Sequence, residues 1–177
     1  MQCTICLDDE GDVVQRGCCC RGENGAAHID CLATAAEHDD TCSSWAFCPT
    51  CNTRYSGSVA LVLAEKWVDK VKSRPEDDLE WWMAHNNLTV EFNKNGRLAE
   101  AESNQLQLVE VTSRVYGDDS LRAASAVQQL SSVYGMQGKY RQALDLAERA
   151  HATRRVHLGP DHPSTLHPAS SISTLCD

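Results

Sequence analysis

The 177-residue chain has no run of roughly twenty apolar residues, which excludes a membrane-spanning helix. Its N-terminus has neither the basic start nor the apolar core of a secretion signal. Both absences lead us to expect a soluble, intracellular and cytoplasmic protein whose thiols stay reduced. Positive charge is also scarce: 16 lysines and arginines face 25 acids, for a net charge of −9. Residues 1–57 hold nine of those acids against Arg16, Arg21 and Arg54. Such a surface repels phosphate backbones, so nucleic acid is excluded as a partner. Cysteine is nearly missing from the last two-thirds, where Cys176 stands alone, whereas nine of the ten cysteines fall between Cys3 and Cys51. That change in composition marks a domain boundary near Gly57.

In a reducing compartment a dense cysteine cluster with an interleaved histidine reads as a metal site rather than a disulfide framework. The order is Cys3-x2-Cys6, then Cys18-x-Cys20, then His28-x2-Cys31 after seven residues, and Cys48-x2-Cys51 after sixteen more. Zinc in structural sites takes a closed tetrahedron of thiolate and imidazole, and a two-residue spacer lets both members of a pair reach one ion from a tight turn. Eight ligands in four pairs make two sites, hence two Zn2+. Cys19, between two proposed ligands, could replace Cys18 or Cys20, and His38 with Cys42 forms an alternative pair. Seven thiolates on two zinc dications would make the module more negative by about three charges.

This order of seven cysteines with histidine fifth, the short Cys18-x-Cys20 pair and the seven-residue gap to His28 resemble the RING-CH variant of the RING finger over nearly all of residues 3–55. A PHD finger, a reader of histone tails, shares the ligand order. It typically has a shorter gap and an aromatic two residues before the seventh ligand, where this chain has Ala46. The resemblance implies a cross-brace in which Cys3, Cys6, His28 and Cys31 hold one ion and Cys18, Cys20, Cys48 and Cys51 the other. It also implies a ubiquitin-protein transferase that works without a covalent intermediate, by docking a charged ubiquitin-conjugating enzyme on an apolar patch. Ile5 and Pro49 occupy the contacting positions. The pattern departs at Ala35, where the family usually has tryptophan, and at Asn52, where a basic residue is usual; Trp45 and Phe47 are the aromatics near the seventh ligand. A non-enzymatic interaction scaffold is the alternative reading.

From Val59 the apolar residues recur with helical spacing, through Leu61, Leu63, Ala64, Trp67, Val68 and Val71, which predicts a connecting helix within residues 58–75. Pro75 then opens an acidic first turn for the next helix. At an offset of 42 the chain matches itself: Leu88 with Leu130, Gly96 with Gly138, Leu98 with Tyr140, Ala101 with Ala143 and Gly117 with Gly159. This period describes paired helices that bury their faces by stacking. The second copy resembles tetratricopeptide repeats, and Leu158-Gly-Pro-Asp-His-Pro163 is similar to the linker of the kinesin-light-chain subtype.

The expected fold is therefore a small zinc-stapled, cross-braced RING-like domain (1–57), a connecting helix (58–75) and an all-α tetratricopeptide-type array (76–177) of two copies plus the start of a third. The family's concave groove, which binds a protein or peptide, would present Asn86, Val90, Asn93, Gln128 and Ser132. His85, His151, His157, His162 and His167 fit no ligand spacing and read as surface or packing residues.

Overall fold

The computed structural model describes residues 1–21, 25–160, 162, 163 and 165. The expected opening of a third helix, with Pro168 in it, lies outside the described residues apart from Thr165. Packing divides the chain into two units, Met1–Gly96 and Arg97–Asp177. Among the described residues no helix is long and apolar enough to cross a membrane.

The first unit begins with a two-stranded antiparallel sheet, β1 (Val13–Gln15) and β2 (Ala26–His28), in the register Val13 to His28. β2 runs directly into α1 (Ile29–Glu37), with His28 as its N-cap. The small residues Ala26, Ala27, Ala33 and Ala36 are buried with Leu32, so the backbone elements can approach closely. After α1, Asp39 gathers the next turn: its carboxylate accepts from the backbone N–H groups of Thr41 and Ser44 and from the hydroxyls of Thr41 and Ser43. The Thr41 hydroxyl and these other donors hold the Asp39 carboxyl far below its usual range. A one-turn 3₁₀ helix at Ser43–Trp45 follows and delivers Trp45 to the core.

α2 (Gly57–Val71) is the expected connecting helix, and it buries Val59, Ala60, Leu63, Ala64, Trp67 and Val71. α3 (Leu79–Lys94) starts later than the proline rule implied. Pro75 to Asp77 form a turn, and Asp78 caps the helix by accepting from the backbone N–H groups of Glu80 and Trp81. A carboxylate two or three residues ahead of free N–H groups is a stronger start signal than an upstream proline.

Aromatic stacking and two carboxylates fasten these helices to each other and to the cysteine-rich segment. Trp45 and Trp67 are stacked with ring centroids 6.0 Å apart and planes within 3°. Glu80 Oε1 accepts from Trp67 Nε1 and from Lys70 Nζ, each at 3.1 Å, while Glu80 Oε2 pairs with Arg74 at 2.8 Å. Burial works against the charge, yet these donors hold the Glu80 carboxyl below its ordinary range. A second tie joins Arg54, three residues past Cys51, to Glu91 of α3. Its Nη2 and Nε lie 2.9 and 3.2 Å from Glu91 Oε1, and the Glu91 side chain is only 1% exposed. Lys94 pairs with the same oxygen at 3.1 Å, and Arg54 also donates to the Asn87 side-chain carbonyl. The packing boundary accordingly falls at Gly96 rather than where cysteine runs out.

In the second unit α4 (Leu98–Tyr116), α5 (Leu121–Met136) and α6 (Tyr140–Leu158) pack in succession, α4 on α5 and α5 on α6. The 42-residue period reappears in the helix limits: α3 and α5 both span 16 residues, α4 and α6 both 19, and each start is 42 later than its counterpart. Gly96 and Gly138, with φ of +72° and +76°, make the matching tight turns, a conformation in which other residues are strained. The core is lined by Ala101, Ala123, Ala124, Ala126, Ala143, Ala147 and Ala150 with Leu108, Val127, Leu130 and Val133. Alanine brings helix axes close, and the bulky exception, Gln105, is fully buried because its Nε2 donates to the Ala126 carbonyl at 2.9 Å. Ser131 Oγ likewise donates to Ala143 O at 2.8 Å.

Replacing Trp67 by alanine removes the α2 side of the tryptophan stack and one of the three donors to Glu80. We expect a loss of about 3–5 kcal/mol in urea-induced unfolding of the metal-loaded protein. A cost below about 1 kcal/mol would show that the stack does not hold α2 in place.

Candidate metal centres

Two groups of four ligand atoms converge in the first unit: Cys3, Cys6, His28 and Cys31 in one, Cys18, Cys20, Cys48 and Cys51 in the other, each with all its donor atoms within 4.8 Å of one another. The pairs alternate along the chain, so each centre joins segments far apart in sequence. Cys19 is exposed and belongs to neither group; His38 and Cys42 also stay outside both.

Each pair is presented by a local turn. In both Cys-x2-Cys segments the residue after the second cysteine turns the chain with positive φ, Leu7 at +64° and Asn52 at +51°. Leu7 N–H donates to Cys3 O at 3.0 Å and Asn52 N–H to Cys48 O at 2.8 Å. Asparagine tolerates this region; leucine does so at a steric cost, and nothing in the sequence announced it. His28 and Cys31 project from the N-cap and first turn of α1. The Cys18–Cys20 loop is positioned by Gly17, whose φ is +68° and where a Cβ would come within 2.6 Å of Ser56 O. Ser56 Oγ donates to Gly17 O at 2.7 Å, pinning that loop to the start of α2.

The distances fit zinc. A tetrahedral ion with Zn–S near 2.3 Å separates two sulfurs by about 3.8 Å, and a sulfur and an imidazole nitrogen by about 3.5 Å. Cys20 Sγ is 3.8 Å from Cys48 Sγ, and His28 Nδ1 is 3.4 Å from Cys6 Sγ and 3.7 Å from Cys31 Sγ. The other ring nitrogen of His28, Nε2, lies 2.9 Å from the Glu10 carbonyl. That oxygen can only accept, so Nε2 carries the proton and the Nδ1 lone pair faces the sulfurs, the tautomer a metal needs.

Three or four sulfurs this close cannot all ionise alone. Burial opposes ionisation of Cys3, but the backbone N–H groups of Cys6, His28 and Ile5 bring its thiol down to about 6. The Thr53 N–H does the same for Cys51, also to about 6. In the same clusters the Cys51 sulfur, then burial, pushes Cys20 up to about 12, and burial, then the Cys6 and Cys3 sulfurs, pushes Cys31 up to about 12. Each cluster thus holds thiolates ready to ligate beside thiols that ionise only when a cation arrives.

Ile5 is 43% exposed, and Pro49 is exposed at the tip of the last knuckle. Trp45 is core, while Phe47 is exposed with the Arg54 guanidinium 5.7 Å over its ring. Ala35 faces solvent on α1. On α3, Asn86 is buried, its amide donating to Trp82 O at 2.7 Å, and Val90 and Asn93 are half-buried. On α5, Gln128 is half-buried and Ser132 is exposed, its hydroxyl 3.4 Å from Gln128 O. His85 packs against Trp81 with centroids 4.0 Å apart; His151 and His157 bond to the carbonyls of Thr165 and Asp119. His167 lies outside the described residues. Sequence reading missed Arg54 and Arg16 as structural cations, since nothing in their spacing separates them from surface charge.

Residues 84–156 match the sequence model of the tetratricopeptide repeat, a protein-interaction element, in agreement with the 42-residue period and the paired helices. No curated protein matches the chain.

Because Cys20 and Cys31 are protonated at neutral pH and must lose that proton to ligate, zinc affinity should rise with pH. Adding zinc to the metal-free chain at pH 7.5 is expected to acidify a weakly buffered solution, read with an indicator dye, and binding should weaken steadily from pH 8 to pH 6. A pH-independent affinity would exclude thiolate ligation.

Proposed function

We propose that this chain is a zinc-stapled, ubiquitin-ligase-like adaptor, in which residues 1–57 recruit a ubiquitin-conjugating enzyme and the helical repeats hold a protein partner or substrate. The single observation that carries the reading is the interleaving of two four-ligand clusters, the arrangement that the RING-CH resemblance implies, with Ile5 and Pro49 left exposed in the Cys3–Cys6 and Cys48–Cys51 turns. Two zinc ions would act as structural staples, and folding of the module would be one event with metal binding. The eight ligand positions would be committed to metal; in this reading the conjugating enzyme keeps the thioester and the adaptor orients it. On the repeats, Val90 and Asn93 of α3 and, separately, Gln128 and Ser132 of α5 are the proposed peptide-contacting positions; Asn86, expected with them, is buried with its amide bonded to Trp82 O. Side-chain amides clamp a peptide backbone by giving and accepting hydrogen bonds at once.

A second reading, a non-enzymatic scaffold, is favoured by Ala35 and Asn52. Both are exposed, and neither offers the bulk or the positive charge usual at those positions in the family.

A transfer assay with a panel of charged conjugating enzymes separates the two. We expect ubiquitin chains with at least one enzyme and a loss of tenfold or more on Ile5→Ala, with zinc content unchanged. Absence of transfer across the panel, with a repeat partner still captured, would leave the scaffold.

A further inference from the structure

A buried cation needs a counter-charge, and Arg16 is only 5% exposed. Among the described residues no carboxylate lies within ion-pair distance of it. Its guanidinium instead reaches both halves of the metal-binding segment: Nη1 lies 3.9 Å from Cys48 Sγ, in the second cluster, and Nη2 donates to the hydroxyl of Thr4, between the ligands Cys3 and Cys6 of the first. Thr4 is itself anchored, its hydroxyl donating to Ala26 O at 3.0 Å. The Arg16 backbone N–H is fixed by Gly25 O at 2.9 Å, and its Nε has no partner.

The two centres differ in charge. Three thiolates and one imidazole on a zinc dication leave about −1, whereas four thiolates leave about −2. The more negative centre is the one that the guanidinium touches. We propose that Arg16 is the counter-ion of the four-cysteine centre: it ligates nothing, but lowers that centre's charge and slows loss of its metal, while Thr4 holds the guanidinium in place. The proposal rests on the reading of both clusters as metal sites.

The test uses the full chain loaded with Co2+, whose visible absorption distinguishes a four-sulfur environment from one of three sulfurs and a nitrogen, and with zinc under competition from a chelator. The parent chain should bind two ions. If it binds fewer, the metal reading falls and this proposal with it. With two ions bound, Arg16→Gln should release the ion of the four-cysteine centre at least tenfold more readily and leave the spectrum and release rate of the histidine-containing centre unchanged. Arg16→Lys, which keeps the charge, should recover most of the difference, and Thr4→Ala should shift the same centre in the same direction by less. Equal weakening of both centres in Arg16→Gln would mark a merely structural role and overturn the proposal. So would a release rate like the parent's, or an Arg16→Lys chain as labile as Arg16→Gln. Should Arg16→Gln fail to fold with zinc, as judged by circular dichroism, Thr4→Ala decides: an unchanged four-cysteine centre there overturns the proposal too.

Discussion

Mutual repulsion among closely spaced sulfurs is the constraint around which the first unit is organised. Seven cysteine side chains are drawn into two clusters by short turns, backbone N–H groups and one oriented imidazole. Thiolates in such numbers are stable together only if a cation shares their charge, and either cluster could hold one. The β1–β2 ribbon is three residues long on each side and could not persist alone. Its position, and through His28 that of α1, follows from the ligand geometry.

From that centre the ties run outward through a few side chains. Ser56 links the Cys18–Cys20 loop to the start of α2, Trp45 stacks on Trp67, and Arg54 carries the last knuckle to Glu91. Glu80 closes the set by accepting from Trp67, Lys70 and Arg74. α2 and α3 therefore share a packed unit with the clusters. The second unit follows a different logic: alanine faces let helices approach, and two buried polar side chains, Gln105 and Ser131, direct their donors to backbone carbonyls of the neighbouring helix.

Features encoded by spacing were legible in the sequence. The cysteine and histidine intervals named the eight residues that converge, because a tetrahedral ion fixes how far apart its ligands can be along a turn. The 42-residue offset anticipated the helix limits of the repeat, since each copy solves the same burial problem. Features encoded by single long-range contacts were not legible. Trp45 read only as an aromatic near a ligand, and its stacking partner is in another helix. Arg16 and Arg54 counted as two of three positive charges in an acidic segment, although one sits among sulfurs and the other on a buried glutamate. The start of α3 was misplaced because Asp78, one acid among several, does the capping while Pro75 only shapes the turn. No periodicity marks any of these.

The arginine–glutamate tie between the last knuckle and α3 bears on how such a chain could be rearranged in evolution. By motif, α3 is the opening helix of the repeat; by packing, it belongs with the cysteines. A recombination breakpoint at Gly57 would strand Arg54 without its carboxylate, bare the stacking face of Trp45 and leave Glu91 with Lys94 as its remaining cation. One at Gly96 severs none of these bonds. The heritable cassette is thus longer than the metal motif by two helices, and repeats can be exchanged behind it only from α4 onward.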